Sequence, residues 1–290
     1  MDTLSIGIPK GSLQDPTVRY FGHAGYHIDI PSRAYNVTFD DDELGGMLLR
    51  PQEMALYVEK GVVDIGLAGA DWVAESGADV QFVTELVYSR ATNRRSKWVI
   101  AVPEDSGIDT IADLQGKVVY SELVNTTREW LEKQGVTAEV RFSHGATEAK
   151  APYLGDAIAE FTETGSSLRA NGLKIIGEIM ETATVIVANR DAWADAWKRQ
   201  KVEDLVMLLQ GVLAAEDRAG LKLNAPQARL QAILDILPAM KEPTVSPLTE
   251  SGWVAIETIV ETKQVRDLIP VLRRAGAQDF IEYPLNKVIP

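Results

Sequence analysis

The most restrictive feature of the sequence is a recurring unit. A short apolar run stops at a glycine- or proline-containing turn and gives way to a helix-compatible stretch. Residues 4–8 are broken by Pro9, Lys10 and Gly11, and the spacing predicts a helix over residues 14–21. Residues 61–67 lead into Ala68-Gly69-Ala70-Asp71, and residues 98–102 end at Pro103. Strands that alternate with helices in this way must be covered by those helices, which restricts the chain to α/β layering.

From about Lys97 the pattern starts again. Its pieces are strands at residues 98–102, 117–120, 138–142 and 156–161, a helix start at Thr110-Ile111-Ala112-Asp113 and a helix near residues 126–134. Residues 184–189 form a strongly apolar strand that returns the chain to the first unit. Two lobes crossed twice by the chain place a ligand cleft at the crossover, where small molecules commonly bind. The last part, after a connecting helix at residues 202–217, reads as strands at 221–225, 244–247, 253–260 and 280–284 with helices at 226–237 and 265–275. That order, βαββαβ, is the ferredoxin-like plan. Leu230, Ile233, Leu234 and Leu237 in one helix, and Leu268, Ile269 and Leu272 in the other, repeat at helical spacing. The segment shows no phosphate loop, metal cluster or acid/base pair, so regulation or assembly is expected of it. The resulting organisation is a lobe I at residues 1–92 completed by 180–204, a lobe II at 93–179, and a domain for regulation or assembly at 205–290.

Composition narrows the function classes. A formal net charge of −13 over 290 residues excludes a general nucleic-acid binder, which needs a basic surface to displace counterions. Polyanionic small molecules remain possible if basic residues gather in a cleft or a divalent cation accompanies the ligand. With no cysteine, thiol nucleophiles, thiolate metal sites and disulfides are excluded. No run approaches the ~20 apolar residues of a membrane helix, and residues 1–10 lack a basic export signal, so a soluble cytoplasmic protein is expected, with no nucleic-acid or membrane partner. The three histidines, His23, His27 and His144, lack metal-ligand spacing.

The segment richest in chemistry is Asp156-Ala-Ile-Ala-Glu160-Phe-Thr-Glu163-Thr164-Gly165-Ser166-Ser167-Leu168-Arg169-Ala-Asn171-Gly-Leu173. A strand ending in carboxylates meets a hydroxyl- and glycine-rich turn, which can present backbone N–H groups to a phosphate. Taken alone, the run fits a simple helix cap equally well. It is similar, however, to the phosphoribosyl-pyrophosphate loop of the ATP phosphoribosyltransferases. The opening Gly7-Ile-Pro-Lys10-Gly11-Ser12-Leu13, Leu49-Arg50-Pro51, Gly66-Leu-Ala-Gly69-Ala-Asp71, Gly145-Ala146-Thr147-Glu148, Asn224-Ala-Pro226, Pro243-Thr244-Val-Ser-Pro247-Leu248 and Tyr283-Pro-Leu-Asn-Lys287 resemble that family's segments in the family's order. The resemblance covers essentially the full length.

The resemblance implies a two-lobed fold of the type II periplasmic-binding-protein kind with a C-terminal ferredoxin-like, ACT-like domain. It implies transfer of the phosphoribosyl group of phosphoribosyl pyrophosphate to N1 of ATP, the first step of histidine biosynthesis, with feedback inhibition by histidine. It implies catalytic contacts from Lys10, Arg50 and Glu160, with Lys10 and Arg50 facing the pyrophosphate. Glu163, Thr164, Gly165, Ser166, Ser167 and Leu168 are expected around phosphoribosyl pyrophosphate, with Gly11, Asp71 and Glu148 as further contacts and Asp71 near metal or substrate. Magnesium is expected, carried mostly by substrate oxygens. Histidine is expected near Asn224 and Thr244 between regulatory domains, in a homo-oligomer from dimer to hexamer. Two departures stand out: Gly66-Leu-Ala-Gly69 lacks the hydroxyl of the commoner Gly-Ile-Thr-Gly turn, and Gly145-Ala146-Thr147-Glu148-Ala-Lys150 replaces a more usual Gly-Ser-Val-Glu. The basic run Arg90, Arg94, Arg95 and Lys97 reads either as a solvated face or as part of the cleft. Rival readings are a prephenate dehydratase, echoed by Asn125-Thr-Thr127-Arg128 but followed by Glu129 instead of an aromatic residue, and a two-lobed solute-binding protein.

Overall fold

A computed structural model describes residues 2–31, 34–88, 95–151, 153–238 and 243–289. The chain forms two compact units, one of residues 1–22 and 26–203 and the other of residues 23–25 and 204–290.

The larger unit holds two sheets. The first contains β1 (Leu4–Pro9), β2 (Ile28–Asp29), β3 (Asn36–Phe39), β4 (Leu44–Leu49), β5 (Ile65–Gly69) and β6 (Gln81–Leu86). The second contains β7 (Ser96–Pro103), β8 (Val118–Ser121), β9 (Glu139–Phe142), β10 (Ala157–Thr162) and β11 (Leu173–Thr182). The chain then returns to the first sheet as β12 (Thr184–Ala188). Both sheets repeat one arrangement, β4-β1-β5-β12-β6 in the first and β9-β8-β10-β7-β11 in the second. In each, the strand that runs against its neighbours is the one delivered by a crossover, β12 in the first sheet and β7 in the second. The second crossover is the single residue Ala183 between β11 and β12. This is the two-lobed periplasmic-binding-protein plan expected from the sequence. The central strands are buried on both faces, as a helix-covered parallel strand must be: in β5 the successive residues Ile65, Gly66, Leu67 and Ala68 are all buried.

Helices α1 (Gln14–Ala24), α2 (Pro51–Glu59), α3 (Ala70–Ser76), α4 (Val124–Lys133), α5 (Ser166–Ala170) and α6 (Arg190–Ala194) follow the strands. Helix α7 (Ala196–Glu216) contains the boundary between the two units.

The smaller unit orders its strands β14-β15-β13-β16, from β13 (Arg218–Pro226), β14 (Thr244–Pro247), β15 (Trp253–Glu261) and β16 (Gln278–Pro284), all antiparallel. With α8 (Leu230–Leu234) and α9 (Thr262–Ala275) this is a βαββαβ domain. Leu221, Leu223, Val254 and Ile256 alternate inward onto Ile233, Val265 and Leu272 of the helices. One detail departs from the sequence expectation. Pro226 ends β13, paired with Trp253 in an extended conformation, and the predicted helix over 226–237 is a 3-10 turn at Gln227–Arg229 followed by α8. A proline tolerates a strand end because it lacks the N–H that a ladder interior needs. The predicted strand at 61–67 also starts later, because Gly61 adopts φ 68° and Val62 N–H still bonds to Tyr57 O of the preceding helix.

Asn189 joins two elements of the larger unit. Its Oδ1 caps α6 by accepting from Asp191 N (2.9 Å) and Ala192 N (3.1 Å), while Nδ2 donates to Val58 O (2.9 Å) and Glu59 O (3.2 Å) at the end of α2. Asn189→Ala is expected to lower stability by about 1–3 kcal/mol, read as a fall in the urea midpoint of the larger unit at unchanged slope. An unmoved midpoint would show that water replaces all four bonds.

Candidate active site

The C-terminal ends of parallel strands, where strand order reverses, are the places an open α/β sheet offers to ligands. Two sheets of the same order supply two sets of such ends. Lys10, Arg50 and Asp71 follow β1, β4 and β5; Glu122 follows β8, and Glu160 and Glu163 lie at or just beyond the end of β10. A cavity of about 310 Å³ lies between them, lined by Ser12 and Gln52 from the first lobe and Glu122, Glu160 and Glu163 from the second.

The loop after β10 is built as a cradle. Gly165 takes φ 70°, a conformation that favours glycine, and its N–H donates to Thr162 Oγ1 at 2.8 Å. Thr164 Oγ1 donates to Ser166 Oγ (3.0 Å), Arg169 Nη2 clasps Thr164 O (3.1 Å), and Ser167 Oγ donates to Glu148 Oε1 (3.1 Å). Helix α5 then begins at Ser166, so its first amides lack intrahelical partners. Leu168 corrects the sequence expectation in part. Its side chain is buried with Val99, Ala101, Ile158 and Leu173, so it anchors the loop, and only its backbone can meet a ligand.

Glu160 lies in an acidic surrounding. Burial, then the Glu148 charge, push its carboxyl up to about 7, against the opposing hydrogen bonds from Phe161 N–H and the Thr147 hydroxyl. Burial also raises Glu122, opposed by the Lys150 ammonium. Lys150 is itself held by Gly145 O (2.8 Å) and the Ser143 hydroxyl. Among the described residues no group of three or more histidine or acidic side chains is arranged to hold a metal ion.

Asp71 lines the cavity but departs from the expected free metal or substrate partner. It is 4% exposed, and both its oxygens are engaged: Oδ2 accepts the Trp98 indole N–H at 2.7 Å and Oδ1 accepts the Thr182 hydroxyl at 2.9 Å. Gly69 makes this possible, since a Cβ there would collide with Asp71 Oδ1. Lys10 does not line the cavity; its ammonium lies 4.6 Å over the Tyr35 ring beside a separate groove. Arg50, at the N-terminus of α2, is exposed and also off the cavity wall, although the neighbouring Pro51 and Gln52 are on it. Gly11 precedes Ser12 with φ 101°. In the basic run, Arg90 and Arg94 lie outside the described residues, while Arg95 pairs with Glu85 and Glu181, and Lys97 with Glu178 and Glu181. Thr127, central to the dehydratase echo, is buried and shares a hydrogen bond with Ser121 (2.9 Å).

Sequence reasoning missed Glu122, Trp98, Thr182 and Tyr88. Glu122 was signalled by its place after the strand of Val118-Val-Tyr-Ser121. The other three are crossover residues whose partners lie far along the chain. Tyr88 shares a 2.8 Å hydrogen bond with Thr17, stacks on Tyr20, and is driven to a pKa of about 12 by burial, which makes it a neutral wall.

In the smaller unit, Asn224 and Thr244 fall on the same face of the sheet, opposite the helices and two strands apart, through the register Asn224↔Ala255↔Ser246. Asn224 Nδ2 donates to Asp279 Oδ2 at 2.9 Å, and Thr244 is exposed at the edge.

The sequence profile of the ATP phosphoribosyltransferase family matches residues 50–211, and that of its C-terminal domain (HisG, C-terminal domain) matches residues 215–287. Among curated relatives, ATP phosphoribosyltransferase of Chlorobium phaeovibrioides is 54% identical over 286 residues, covering 99% of this chain and 97% of that one. ATP phosphoribosyltransferase of Desulforudis audaxviator is 56% identical over 287 residues, covering 99% of each. Among solved structures, the ATP phosphoribosyl transferase (HisG:HisZ) complex from Thermotoga maritima superposes with a TM-score of 0.62 at 26% identity, covering 72% of this chain and 99% of that one. With a family profile spanning more than half of its length and relatives identical at more than half of their positions from end to end, the chain belongs to the ATP phosphoribosyltransferase family.

Proposed function

We propose that the cleft transfers the 5-phosphoribosyl group of phosphoribosyl pyrophosphate to N1 of ATP, the first step of histidine biosynthesis. The adenine N1 lone pair forms the bond to the anomeric carbon. The bond from that carbon to the pyrophosphate oxygen breaks, and its electron pair leaves with pyrophosphate. The positive charge left on adenine is relieved when the 6-amino group gives up a proton. The observation that carries this reading is the preformed turn over residues 162–168, with Glu160 just before it and Glu163 within it, both at the wall of the interlobe cavity.

In this reading the turn receives the ribose 5-phosphate on its backbone amides, and the carboxylates accept from the ribose hydroxyls. Lys10 and Arg50, at the ends of β1 and β4, reach over the pyrophosphate from the opposite lobe, one as a point charge and the other as a fork. Carboxylates without a complete cage suit a magnesium ion that arrives on the substrate, with Glu122 or Glu160 as a single additional ligand; such an ion supplies charge neutralisation on the departing pyrophosphate. No covalent nucleophile is required, because positioning and electrostatics can provide the acceleration.

Ionised, Glu160 is the much stronger acceptor for a ribose hydroxyl, and its folded pKa lies above the usual carboxylate value, at about 7. Turnover is therefore expected to rise with pH through about 7. Glu160→Gln is expected to lower kcat/KM by about 10–100-fold, the worth of a hydrogen bond to a charged group, and to remove that rising limb. Pyrophosphate release measured from pH 6 to 8.5 checks both. A variant that kept the limb would remove Glu160 from the proposal, and absence of pyrophosphate release from ATP and phosphoribosyl pyrophosphate in the native chain would end it.

We further propose that histidine inhibits by binding in the smaller unit, between copies of the chain in a homo-oligomer. Asn224 and Thr244 share an open sheet face with hydrogen-bonding groups suited to an amino acid. Asn224→Ala with Thr244→Ala is expected to raise the histidine concentration for half-inhibition about tenfold or more while leaving uninhibited turnover within twofold, consistent with loss of two ordinary hydrogen bonds. Unchanged inhibition would move the histidine site elsewhere.

A further inference from the structure

Helix α3 carries two acidic residues, Asp71 and Glu75, four positions apart and hence on one face. Both bond to the second lobe, by different means. Asp71, near the crossovers, accepts from Trp98 and Thr182, which lie on the strands that enter and leave that lobe. Glu75 reaches the start of α4. Its Oε1 accepts Asn125 N–H at 2.9 Å, its Oε2 accepts Thr126 N–H at 2.8 Å, and its backbone carbonyl accepts Asn125 Nδ2 at 3.2 Å.

The chemistry of α4 shows why this matters. Its N-cap residue is Leu123, which has no side chain able to cap, so the second and third amides of the helix have no local acceptor. Those are the amides that a capping Ser, Thr, Asp or Asn would satisfy. Here the acceptor is a carboxylate from the other lobe, and its charge also suits the positive end of the helix dipole. The second lobe therefore completes one of its own helices only while it stays against the first. Asp71 is buried, whereas the Glu75 contacts lie toward solvent, where they can break and re-form without stranding a charge.

We propose that Glu75 is an interlobe latch: by capping α4 from the opposite lobe it holds the cleft at the width at which Glu122 and Glu160 face Ser12 and Gln52, with Asp71 as the fixed pivot. The Glu75 carboxylate bonds to Asn125 and Thr126 of α4, neither of which lines the cavity, so it is a positioning residue. The inference rests on the phosphoribosyl-transfer reading only for its kinetic consequence; the change in lobe separation is independent of it. Trp98 connects the pivot to the site, because its ring meets Phe161 edge-on at 6.1 Å, and Phe161 is the neighbour of Glu160.

Because the chain has no cysteine, two introduced cysteines label it uniquely. Lys60 and Lys133, both exposed and on opposite lobes, are suitable as Lys60→Cys and Lys133→Cys. Spin labels at these positions, in full-length chain diluted into unlabelled protein, report the interlobe distance by pulsed electron resonance. The parent protein is expected to show one narrow distance distribution. Glu75→Ala is expected to add a longer, broader population, which phosphoribosyl pyrophosphate draws back toward the short one. It is also expected to raise KM for phosphoribosyl pyrophosphate about tenfold while kcat stays within twofold. Glu75→Gln, which keeps one acceptor oxygen, should fall between the two and serves as the folded control. An unchanged distance distribution in both variants overturns the latch. So does an equal fall in kcat with KM unchanged, which would place Glu75 in the chemical step. If the distances shift as expected but neither parent nor variant releases pyrophosphate, the latch stands and the catalytic reading fails.

Discussion

The arrangement of the catalytic unit depends on one buried carboxylate. A charge with little access to water is tolerated only when it is fully hydrogen-bonded, and Asp71 meets that condition with two donors that belong to the opposite lobe, Trp98 Nε1 and Thr182 Oγ1. Removing either donor would leave an incompletely paired charge in the cleft wall, so the lobes are constrained where the chain crosses between them. The glycine at 69 is part of the same device, because any side chain there would occupy the space of the Asp71 carboxylate. From this pivot the rest follows in order: Trp98 meets Phe161, Phe161 adjoins Glu160, and Glu160 stands just before the turn over residues 162–168.

The electrostatics of the cleft run against its ligands. A chain of net charge −13 presents Glu122, Glu148 and Glu160 together, and burial with mutual repulsion holds the Glu160 proton to about 7. Two polyanionic substrates can enter such a site only if their phosphates are met by oriented amides and by a few mobile cations, and if some of their charge is carried in neutralised form. In the proposed reaction the turn over residues 162–168 would supply the first, and Lys10 and Arg50 the second. A substrate-borne divalent ion would supply the third and draw the carboxylates into use. Lys10 over Tyr35 and Arg50 at an exposed helix start have the freedom such a task requires.

Much of this was legible in the sequence, for identifiable reasons. Central strands buried on both faces leave long apolar runs, so β1, β7 and β12 were visible, and the turn proposed to hold a phosphate is marked by Thr164-Gly165-Ser166-Ser167 after a strand. The smaller domain was readable because one-sided burial gives clean alternation in β13 and β15. What failed to show were features fixed by distant partners. Strand β11 carries two bulges, between Ile175 and Gly177 and between Glu178 and Met180, which break the period-two pattern. The sequence suggests Asp71 as a metal or substrate contact because its defining partner, Thr182, lies 111 residues away. Leu168 shares the motif but serves as its buried anchor, and nothing local distinguishes an anchor from a contact. The C-terminal helix expected over residues 226–237 failed for a similar reason: Pro226 fits a first helical turn, yet its cross-strand pairing with Trp253 prevails.

Amide hydrogen exchange with and without phosphoribosyl pyrophosphate and magnesium tests the central claim most directly. The account predicts slowed exchange concentrated at residues 162–170 and at the ends of β1 and β4, near residues 10–12 and 50–53, with little change in residues 218–284. Protection confined to the smaller domain, or absent from residues 162–170, would contradict it.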